Sequence, residues 1–571
     1  MKTLLVTTPI RDAADNFPPI GVLALMKAVR DQGISEAVFY HIDGNRPSYQ
    51  EVLDRIQQEK PEILGISAVV STAYDYMKRL SLDIKRLLPE TLIVLGGNMA
   101  ACGELALRRT GVDLCVLGEG ETVLCNIIER AQSTTRPVGY GDIPGLLFLG
   151  EDGQPVNTGY EKPLPAHQLY PIDWEELAQV SDMRRYVCDE TSSPHGFSKF
   201  QHDPRFQAPH RRGKKLVTMV GSKGCVARCT FCHRWQKGIR YIPPELLMQR
   251  LEALIERYDV GFVVWNDENF GTDKRWLKAF CQGIRKYDLL WTVSGMRTNC
   301  IDPASIQLMK EAGCTTIVYG MESGSDAVLQ MMEKKITVAQ NRQAMAWTLE
   351  ADLDTTVQLV IGMPGESPET VAETSAFVQY CQSLRPEHDP SRISITYAQA
   401  LPGTPLYEFA RQKGLIEPGF DGEEKYLLEI SDADAADVTR TINFTDYPDL
   451  ELHAWRRRIQ IAANYHFVKK FGMAQYKKAV KQKTLLSAHP LLFHYLEFML
   501  IPMGWAIATR KRGLKYGAWL MWDYLRFKIT GRVGRGALLE GQPRSLRKIL
   551  RHELGDLPSD HEAMIPLRRG R

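Results

Sequence analysis

Three of the eleven cysteines of the chain lie close together, at Cys225, Cys229 and Cys232. Three thiolates on one short loop can each bind one iron of a cubane and leave the fourth iron without a protein ligand. Such an open iron can bind and reduce a substrate. A structural zinc ion takes a fourth protein ligand, which His233 could supply, so a Cys3His zinc site is the alternative. The other cysteines are scattered, and most are interpreted as small buried hydrophobic residues.

The elements that must position this loop follow a repeating pattern. The loop comes directly after a β-rich run at 216–220, and similar runs follow at 262–265, 291–294, 315–319, 355–360 and 393–397. Helical stretches separate these predicted strands. Six βα units predict an incomplete α/β barrel, in which the chemistry is carried at the carboxyl ends of the strands.

A second alternation of strands and helices occupies the first 135 residues. Its predicted strands lie at 3–8, 37–42, 63–68, 92–95 and 114–117. This alternation favours a doubly wound, Rossmann-like parallel sheet. Glycine and polar residues follow two of the strand ends, at Gly96, Gly97, Glu119 and Gly120, where the ligands of such sheets bind. Tight turns between strand and helix would also explain the glycines.

The cysteine loop resembles the radical S-adenosylmethionine (SAM) superfamily. The signature of that family is C-x3-C-x2-C with an aromatic residue before the third cysteine, a position that Phe231 occupies here. Further family motifs follow in register, namely an acidic stretch ending at Glu268, Gly-x-Glu-Ser-Gly at 320–324, Gly-x-Pro-Gly-Glu at 362–366 and Pro-Gly-Thr-Pro-Leu-Tyr at 402–407. Together these motifs make the resemblance specific.

The resemblance implies a [4Fe-4S] cluster on the three clustered cysteines, which cleaves SAM to a 5′-deoxyadenosyl radical. It also implies that Phe231 belongs to the cofactor site and that Glu268 meets the SAM ammonium. Ser294, Arg297 and Glu322 are expected to contact the ribose or the carboxylate of SAM. A salt bridge lining the mouth of the barrel is the alternative for Arg297 and Glu322.

The first 135 residues resemble the cobalamin-binding domain of class B radical SAM enzymes, through the turns at 96–97 and 118–121 among other features. The D-x-H-x-x-G motif that gives cobalt a histidine in many other B12 proteins is absent, because His41 precedes its nearby aspartate. The resemblance therefore implies base-off cobalamin with no histidine ligand from the protein. The apolar loop ending at Val70 is expected beneath the cobalt. A degenerate domain that binds no cofactor is the alternative.

Charge divides the chain in two. The formal net charge is only +3, yet residues 451–571 hold 24 Lys and Arg against 8 Asp and Glu. Such a basic end suggests a polyanionic partner or an anionic membrane surface. The predicted domains are a cobalamin-binding domain at 1–135, a linker at 136–215, the radical SAM barrel at 216–410 and a basic, mostly helical region at 411–571. Hydrophobic residues make up 44% of the chain, which excludes wholesale disorder.

An apolar helical stripe runs through the basic end, formed by Leu514, Ala518, Met521, Trp522, Leu525 and Ile529. Bases and aromatic residues around this stripe suit a membrane interface. A helix docked on the barrel with a solvated basic face is the competing interpretation. A helix spanning the membrane is not predicted, because His494, Glu497 and Pro502 interrupt the apolar run. Nucleic acid is disfavoured, since no recognised binding module accompanies the charge.

The resemblance implies a cobalamin-dependent radical SAM methyltransferase that methylates an unactivated carbon of a hydrophobic small molecule or lipid. A one-electron donor such as flavodoxin or ferredoxin would supply the electron. No secretory signal is evident, so a cytoplasmic enzyme is expected, with peripheral attachment to the inner face of the membrane as an option.

Three alternatives to methylation can be compared with the sequence. An oxidative or ring-rearranging cyclase similar to the Mg-protoporphyrin ester cyclase group stays open. A tRNA methylthiotransferase is disfavoured, because Cys102, Cys115 and Cys125 are too tightly spaced for the second cluster of that family. The last alternative is a non-catalytic metal-binding scaffold.

Overall fold

The computed structural model describes residues 1–10, 17–69, 72–133, 139–235, 238–481, 484–539 and 545–554. The predicted cobalamin contact Val70 lies outside these ranges. The described residues form two seven-stranded sheets, one two-stranded hairpin and a helical C-terminal region. The predicted α/β architecture is therefore confirmed.

The N-terminal sheet has the strand order β2-β1-β3-β4-β5-β6-β7, with five parallel strands followed by two antiparallel ones. Its strands are β1 (Lys2–Thr7), β2 (Glu36–Tyr40), β3 (Ile63–Ser67), β4 (Leu92–Gly96), β5 (Leu114–Val116), β6 (Leu146–Leu149) and β7 (Pro155–Asn157). Its helices are α1 (Ile20–Gln32), α2 (Ile42–Asn45), α3 (Tyr49–Glu59), α4 (Tyr74–Leu87), α5 (Glu104–Arg109) and α6 (Glu121–Ser133). Continuous apolar strands are buried here because helices cover the sheet.

The second sheet is open, with the order β16-β15-β14-β13-β12-β9-β8, and all six predicted barrel strands are present and parallel. The strands from the connector onwards are β8 (Val187–Cys188), β9 (Lys215–Met219), β10 (Ser222–Cys225), β11 (Gly238–Tyr241), β12 (Val260–Asn266), β13 (Leu290–Met296), β14 (Cys314–Glu322), β15 (Val357–Ile361) and β16 (Ile393–Tyr397). Strands β10 and β11 form the separate hairpin.

Helices of the connector and the barrel alternate with these strands. They are α7 (Trp174–Val180), α8 (Pro194–Ser198), α9 (Pro244–Tyr258), α10 (Lys274–Ile284), α11 (Pro303–Glu311), α12 (Asp326–Met331), α13 (Val338–Glu350) and α14 (Pro368–Gln382). The segment predicted as a linker is closely integrated, because it contributes β6 and β7 to the first sheet and β8 to the second.

The C-terminal region packs on both domains. Its helices are α15 (Pro405–Gln412), α16 (Gly419–Ile430), α17 (Asp449–Phe471), α18 (Met473–Ala479), α19 (Leu485–Ala488), α20 (Pro490–Tyr495), α21 (Leu500–Arg512), α22 (Leu514–Thr530) and α23 (Leu546–Leu554). Helix α17 lies along α14, and α21 and α22 pack on α17. Leu406 and Phe409 of α15 and Leu427 of α16 share one hydrophobic core with Leu64 and Leu95 of the N-terminal sheet. The two α/β units are therefore joined by a common core.

Candidate active site

The loop that carries the three cysteines is the tip of the β10–β11 hairpin. Gly224 has a φ of +90°, and a Cβ there would lie 2.6 Å from the carbonyl oxygen of Gly238, so the close strand approach requires glycine. The middle of the loop is held from two sides. The amide of Thr230 donates to Met332 O at 2.9 Å, and the amide of Leu406 donates to Thr230 O at 3.0 Å. These bonds fix the loop to the ends of α12 and α15.

The cysteine sulfurs occupy different surroundings within this loop. Cys225 Sγ accepts hydrogen bonds from the Ala227 amide at 3.3 Å and from Asn269 Nδ2 at 3.5 Å. Cys229 is buried, whereas Cys232 is exposed. Across the described ranges, no group of three or more His, Cys, Asp and Glu side chains is arranged to hold one metal ion. A cubane differs from a single-ion site because each of its thiolates binds a separate iron.

His233, the fourth ligand of the alternative zinc site, packs against Trp235 and the turn at Gly403. Its ring meets Trp235 edge-on, with centroids 4.8 Å apart. A Cβ on Gly403 would lie 2.8 Å from His233 Cδ2 and 3.1 Å from Ala101 Cβ of the N-terminal domain. Burial lowers the pKa of His233 to about 4. The side chain thus fills a contact between the cysteine loop, the 402–407 turn and the N-terminal domain.

Glu268 and Ser294 lie just past β12 and within β13, as neighbouring carboxyl ends of a parallel sheet require. Burial raises the pKa of Glu268, against a hydrogen bond from the Gly224 amide. Ser294 Oγ donates to Asn266 Oδ1 at 2.7 Å. Ser294 is half-buried, and Glu268 keeps access to solvent although the protein atoms around its carboxyl group desolvate it. These two predicted SAM contacts are therefore brought together beside the base of the cysteine loop.

Asp267 is a buried acid that the motif comparison gave no separate role. It accepts hydrogen bonds from Ser222 Oγ at 2.5 Å and from the Gly221 amide at 3.0 Å. Burial raises the pKa of Asp267 to about 7. The bonds tie the end of β12 to the start of the hairpin. In the sequence, only the position of Asp267 directly before Glu268 could have indicated its role.

Glu322 is paired with a lysine that sequence reasoning missed. Lys334 Nζ donates to Glu322 Oε1 at 2.7 Å, and both side chains are largely buried. The backbone of Glu322 has a φ of +63°, an uncommon conformation for a residue with a side chain. Arg297 is also buried and donates from Nη2 to the Lys334 carbonyl oxygen. The salt-bridge alternative therefore describes Glu322, with Lys334 as its partner in place of Arg297.

The carboxyl edge of the N-terminal sheet has one open region. A Cβ on Gly96 would meet no heavy atom within 4 Å, and the side chain of Val69 is 51% exposed. Gly97 has a φ of +81°, and a Cβ there would lie 2.5 Å from the Ala68 carbonyl oxygen. Backbone close approach thus explains Gly97, whereas Gly96 and Val69 border open space.

The other predicted cobalamin contacts are engaged within the protein. A Cβ on Gly120 would lie 3.2 Å from Leu25 Cδ2, which indicates a packing role against α1. Glu119 is buried and accepts hydrogen bonds from Arg240 of the cysteine hairpin. Phe231 packs against the core that the two α/β units share. Contact between these residues and a cofactor stays a prediction.

His41 is buried and is packed within the protein. It is 2% exposed, packs edge-on against Phe39 and lies 3.3 Å from the hydroxyl of Tyr186 through Nδ1. Burial and the charge of Arg185 lower the pKa of His41 to about 4. This side chain is a neutral core histidine, and the absence of a histidine ligand to cobalt stays a prediction.

Two family models match the chain in the regions that carry these sites. Residues 219–378 match the radical SAM superfamily, and residues 7–128 match the B12 binding domain. The first match contains the cysteine loop, Glu268, Ser294, Arg297 and Glu322. The second contains the open edge at Gly96.

Two similar proteins and one solved structure extend these matches. The anaerobic magnesium-protoporphyrin IX monomethyl ester cyclase of Rubrivivax gelatinosus is 25% identical over 64% of this chain and 62% of its own length. This chain thus spans less than two thirds of that relative. The uncharacterized methyltransferase PH0819 of Pyrococcus horikoshii is 26% identical over 73% of this chain and 84% of its own length.

The solved structure is apo OxsB, a cobalamin-dependent S-adenosylmethionine radical enzyme. It superposes with a TM-score of 0.60 at 14% identity, covering 96% of this chain and 77% of OxsB, and so shows a shared fold. The chain thus contains a radical SAM domain and an N-terminal B12-binding domain. The cofactors of these two domains are a [4Fe-4S] cluster with SAM and cobalamin.

Proposed function

We propose that this enzyme methylates an unactivated carbon atom of its substrate. The observation that carries the proposal is the junction between the cysteine loop and the B12-binding domain. Phe231 and Trp235 of the loop pack against a core that includes the strands of that domain. His233 and Ala101 meet across the same junction at the Gly403 turn. A radical generator and a methyl carrier would therefore adjoin one substrate space.

The residues present fit both groups. Cys225, Cys229 and Cys232 would hold the cluster, and Asn269 already donates to the Cys225 sulfur. The open edge at Gly96 would receive base-off cobalamin without a histidine ligand. When bound, the cluster supplies the electron that cleaves SAM to a 5′-deoxyadenosyl radical, and cobalamin supplies the methyl group.

The side chains around the loop would orient SAM and keep it in place. Glu268 would accept hydrogen bonds from the SAM ammonium, and Ser294 would contact its carboxylate or ribose. Lys334 holds the Glu322 carboxylate at 2.7 Å, so a ligand would meet Glu322 as part of an ion pair. Hydrogen bonds from Thr230 to Met332 and from Leu406 to Thr230 would hold the loop in position for SAM.

Cleavage of SAM by the cluster tests the cysteine assignment. Cys229→Ala should abolish formation of 5′-deoxyadenosine in anaerobically reconstituted protein given a one-electron reductant. Cys300→Ala is the matched control, because Cys300 is partly exposed and lies outside the loop. Unchanged 5′-deoxyadenosine formation by Cys229→Ala would refute the assignment.

Oxidative cyclisation is the second candidate, favoured by the cyclase of Rubrivivax gelatinosus at 25% identity. Both activities would use the same three cofactors, namely the [4Fe-4S] cluster, SAM and cobalamin. SAM with a deuterated methyl group separates them by mass spectrometry of the product. A product heavier by the labelled methyl supports methylation, and a turned-over product without the label supports cyclisation.

We further propose that the C-terminal region binds a membrane surface. Helix α22 docks through Gly517 and Leu520, which are buried, while Trp522 and Ile529 of its apolar stripe are 67% and 84% exposed. Helix α22 is thus docked on the C-terminal helices, with Met521 of the stripe packed against their core, while most of the stripe remains exposed. No helix within the described part of the chain is long and apolar enough to cross a bilayer.

An outward apolar stripe on a basic region supports peripheral binding to an anionic membrane. Tyr495 and Phe498, which are 71% and 69% exposed, would extend the contact beyond α22. This attachment would give the enzyme access to a hydrophobic substrate in that membrane. A flavodoxin or a ferredoxin would serve as the reductant that radical SAM enzymes require.

A further inference from the structure

An ion cluster joins the cysteine hairpin to the B12-binding domain. Glu119, in the turn after β5, has a side chain that is 6% exposed. Its carboxylate accepts from Arg240 Nη1 at 3.2 Å and from Arg240 Nη2, and it lies 3.3 Å from Lys223 Nζ. It also accepts from the Leu164 amide at 2.7 Å. Arg240 and Lys223 belong to the hairpin, and Leu164 belongs to the connector.

The two cations belong to one register position of the hairpin. Lys223 on β10 is paired directly with Arg240 on β11. Like charges opposite each other in an antiparallel pair repel and destabilise it. The carboxylate of Glu119 neutralises that pair, with Glu121 3.7 Å from Lys223 as a second acid. The hairpin thus depends on a residue of the other domain for a stable base.

The pKa of Glu119 supports an ionised carboxylate within this group of ion pairs. Burial alone would raise the pKa of Glu119, but the hydrogen bond from Arg240 and the charge of Lys223 outweigh burial and lower it. The charged carboxylate of Glu119 is therefore paired with both Arg240 and Lys223. Removing the Glu119 carboxylate would leave two partly buried cations facing each other. Loss of one partner from a buried ion pair is strongly destabilising, because the remaining charges are uncompensated.

We infer that Glu119 is a positioning residue that holds the cysteine hairpin against the B12-binding domain and so sets the separation between the cluster and cobalamin. Lys223 is two positions before Cys225 on the same strand. A shift of this end of the hairpin would therefore also move Cys225, the first cluster ligand. The shared hydrophobic core contacts the tip of the loop through Phe231 and Trp235, so Glu119 supplies the separate anchor at the other end of the hairpin. The consequence for methyl transfer rests on the proposed function, but the anchoring does not.

Glu424 provides a matched control at the same domain junction. Its carboxylate accepts from the Tyr74 hydroxyl at 2.9 Å and from Lys78 Nζ at 2.7 Å, and its side chain is 14% exposed. It thus joins α16 to the N-terminal domain through a similar ion pair. None of these partners belongs to the cysteine hairpin.

Amide hydrogen exchange tests the anchoring in the full-length, cluster-reconstituted protein without cobalamin. Glu119→Gln should speed exchange of the β10 and β11 amides by about tenfold or more, since local opening becomes easier. Glu119→Asp, whose carboxylate is one methylene shorter, should retain only part of the protection and exchange measurably faster than the wild type, and Glu424→Gln should leave the hairpin as in the wild type. Wild-type hairpin exchange in Glu119→Gln would overturn the inference. If Glu119→Gln does not fold, a comparison of Glu119→Asp with Glu424→Gln decides, and equal hairpin protection in the two overturns it.

A spectroscopic measurement tests the separation of the cofactors. Paramagnetic cobalt(II) in cobalamin and the reduced cluster should broaden each other's electron paramagnetic resonance signals in the wild type. Glu119→Gln should change this broadening and raise the ratio of 5′-deoxyadenosine to methylated product, while Glu424→Gln should change neither. Identical broadening in Glu119→Gln and the wild type would contradict the positioning role. If the wild type binds no cobalamin, the proposed methylation fails, and the exchange experiment still decides the anchoring.

Discussion

The ammonium of Lys334 donates to the carboxylate of Glu322 at 2.7 Å, and both side chains are largely buried near Cys229. Burial alone would lower the pKa of Lys334, but the charge and hydrogen bond of Glu322 and the nearby Cys229 outweigh burial and raise it. Lys334→Gln should therefore cost about 3 kcal/mol of unfolding free energy, because it leaves a buried carboxylate without its partner. Chemical denaturation of the cluster-free chain measures the loss.

The double variant Glu322→Gln/Lys334→Gln is the control for that loss. It removes both charges and should recover most of the stability of the single variant. If the double variant is as unstable as the sum of the two single variants, the two side chains are not coupled as the geometry requires.

Gly96 and Gly97 should respond differently to the same substitution. Gly97→Ala should cost about 2 kcal/mol of stability, since its Cβ would need a left-handed backbone and would lie 2.5 Å from the Ala68 carbonyl oxygen. Gly96→Ala should leave stability near the wild type but weaken cobalamin binding about tenfold, because its Cβ would enter the open space. Thermal unfolding and equilibrium corrinoid binding measure the two effects. Wild-type cobalamin affinity in Gly96→Ala would argue against cobalamin at this edge.

Stability should fall with pH on the acid side because of His41. The folded protein keeps this side chain neutral down to about pH 4, where burial and Arg185 have shifted its pKa, whereas the unfolded chain protonates it near the ordinary value of 6.5. Between these values the unfolded state binds more protons, so stability is lost as pH falls from 6.5 towards 4. His41→Gln should reduce that loss by about 2 kcal/mol. A pH series of denaturant midpoints gives the result, and parallel curves for the two proteins would contradict it.

Membrane binding should depend on the exposed stripe of α22. The wild type should cosediment with vesicles containing phosphatidylglycerol at physiological salt. Trp522→Ser/Ile529→Ser should weaken this binding at least about tenfold, because two large apolar side chains no longer enter the interface. Leu87→Ser is the control, since Leu87 is 39% exposed in the N-terminal domain. No binding by the wild type, or equal loss in the control, would count against the membrane proposal.

Much of the architecture could be predicted from the sequence, because each parallel strand is a short apolar run separated from the next by a longer amphipathic segment. Runs such as Ile63–Ser67 and Leu92–Gly96 appear as strands with shifts of one or two residues. The β10–β11 hairpin escaped prediction. Its strands contain Gly224 and Gly238, lysine and arginine, and the contacts that stabilise it come from distant residues.

Pairings across long sequence distances were not predictable from motifs. Glu119 was expected to touch cobalamin because it follows a strand, yet its carboxylate meets Arg240, 121 positions away. Lys334 belongs to no motif, and only the fold brings it to Glu322. The apolar stripe of α22 was visible in the sequence, but periodicity cannot tell a buried face from an exposed one.

One chain is expected to hold both a [4Fe-4S] cluster and cobalamin. The most direct measurement is the cofactor content of full-length protein purified anaerobically and reconstituted with iron, sulfide and hydroxocobalamin, read by metal analysis and by the corrinoid spectrum after desalting. About one cluster and one cobalamin per chain, with the cluster lost in Cys229→Ala, is the predicted result. A cluster without retained cobalamin would contradict the methyltransferase account, and stoichiometric zinc in place of iron would contradict the radical chemistry altogether.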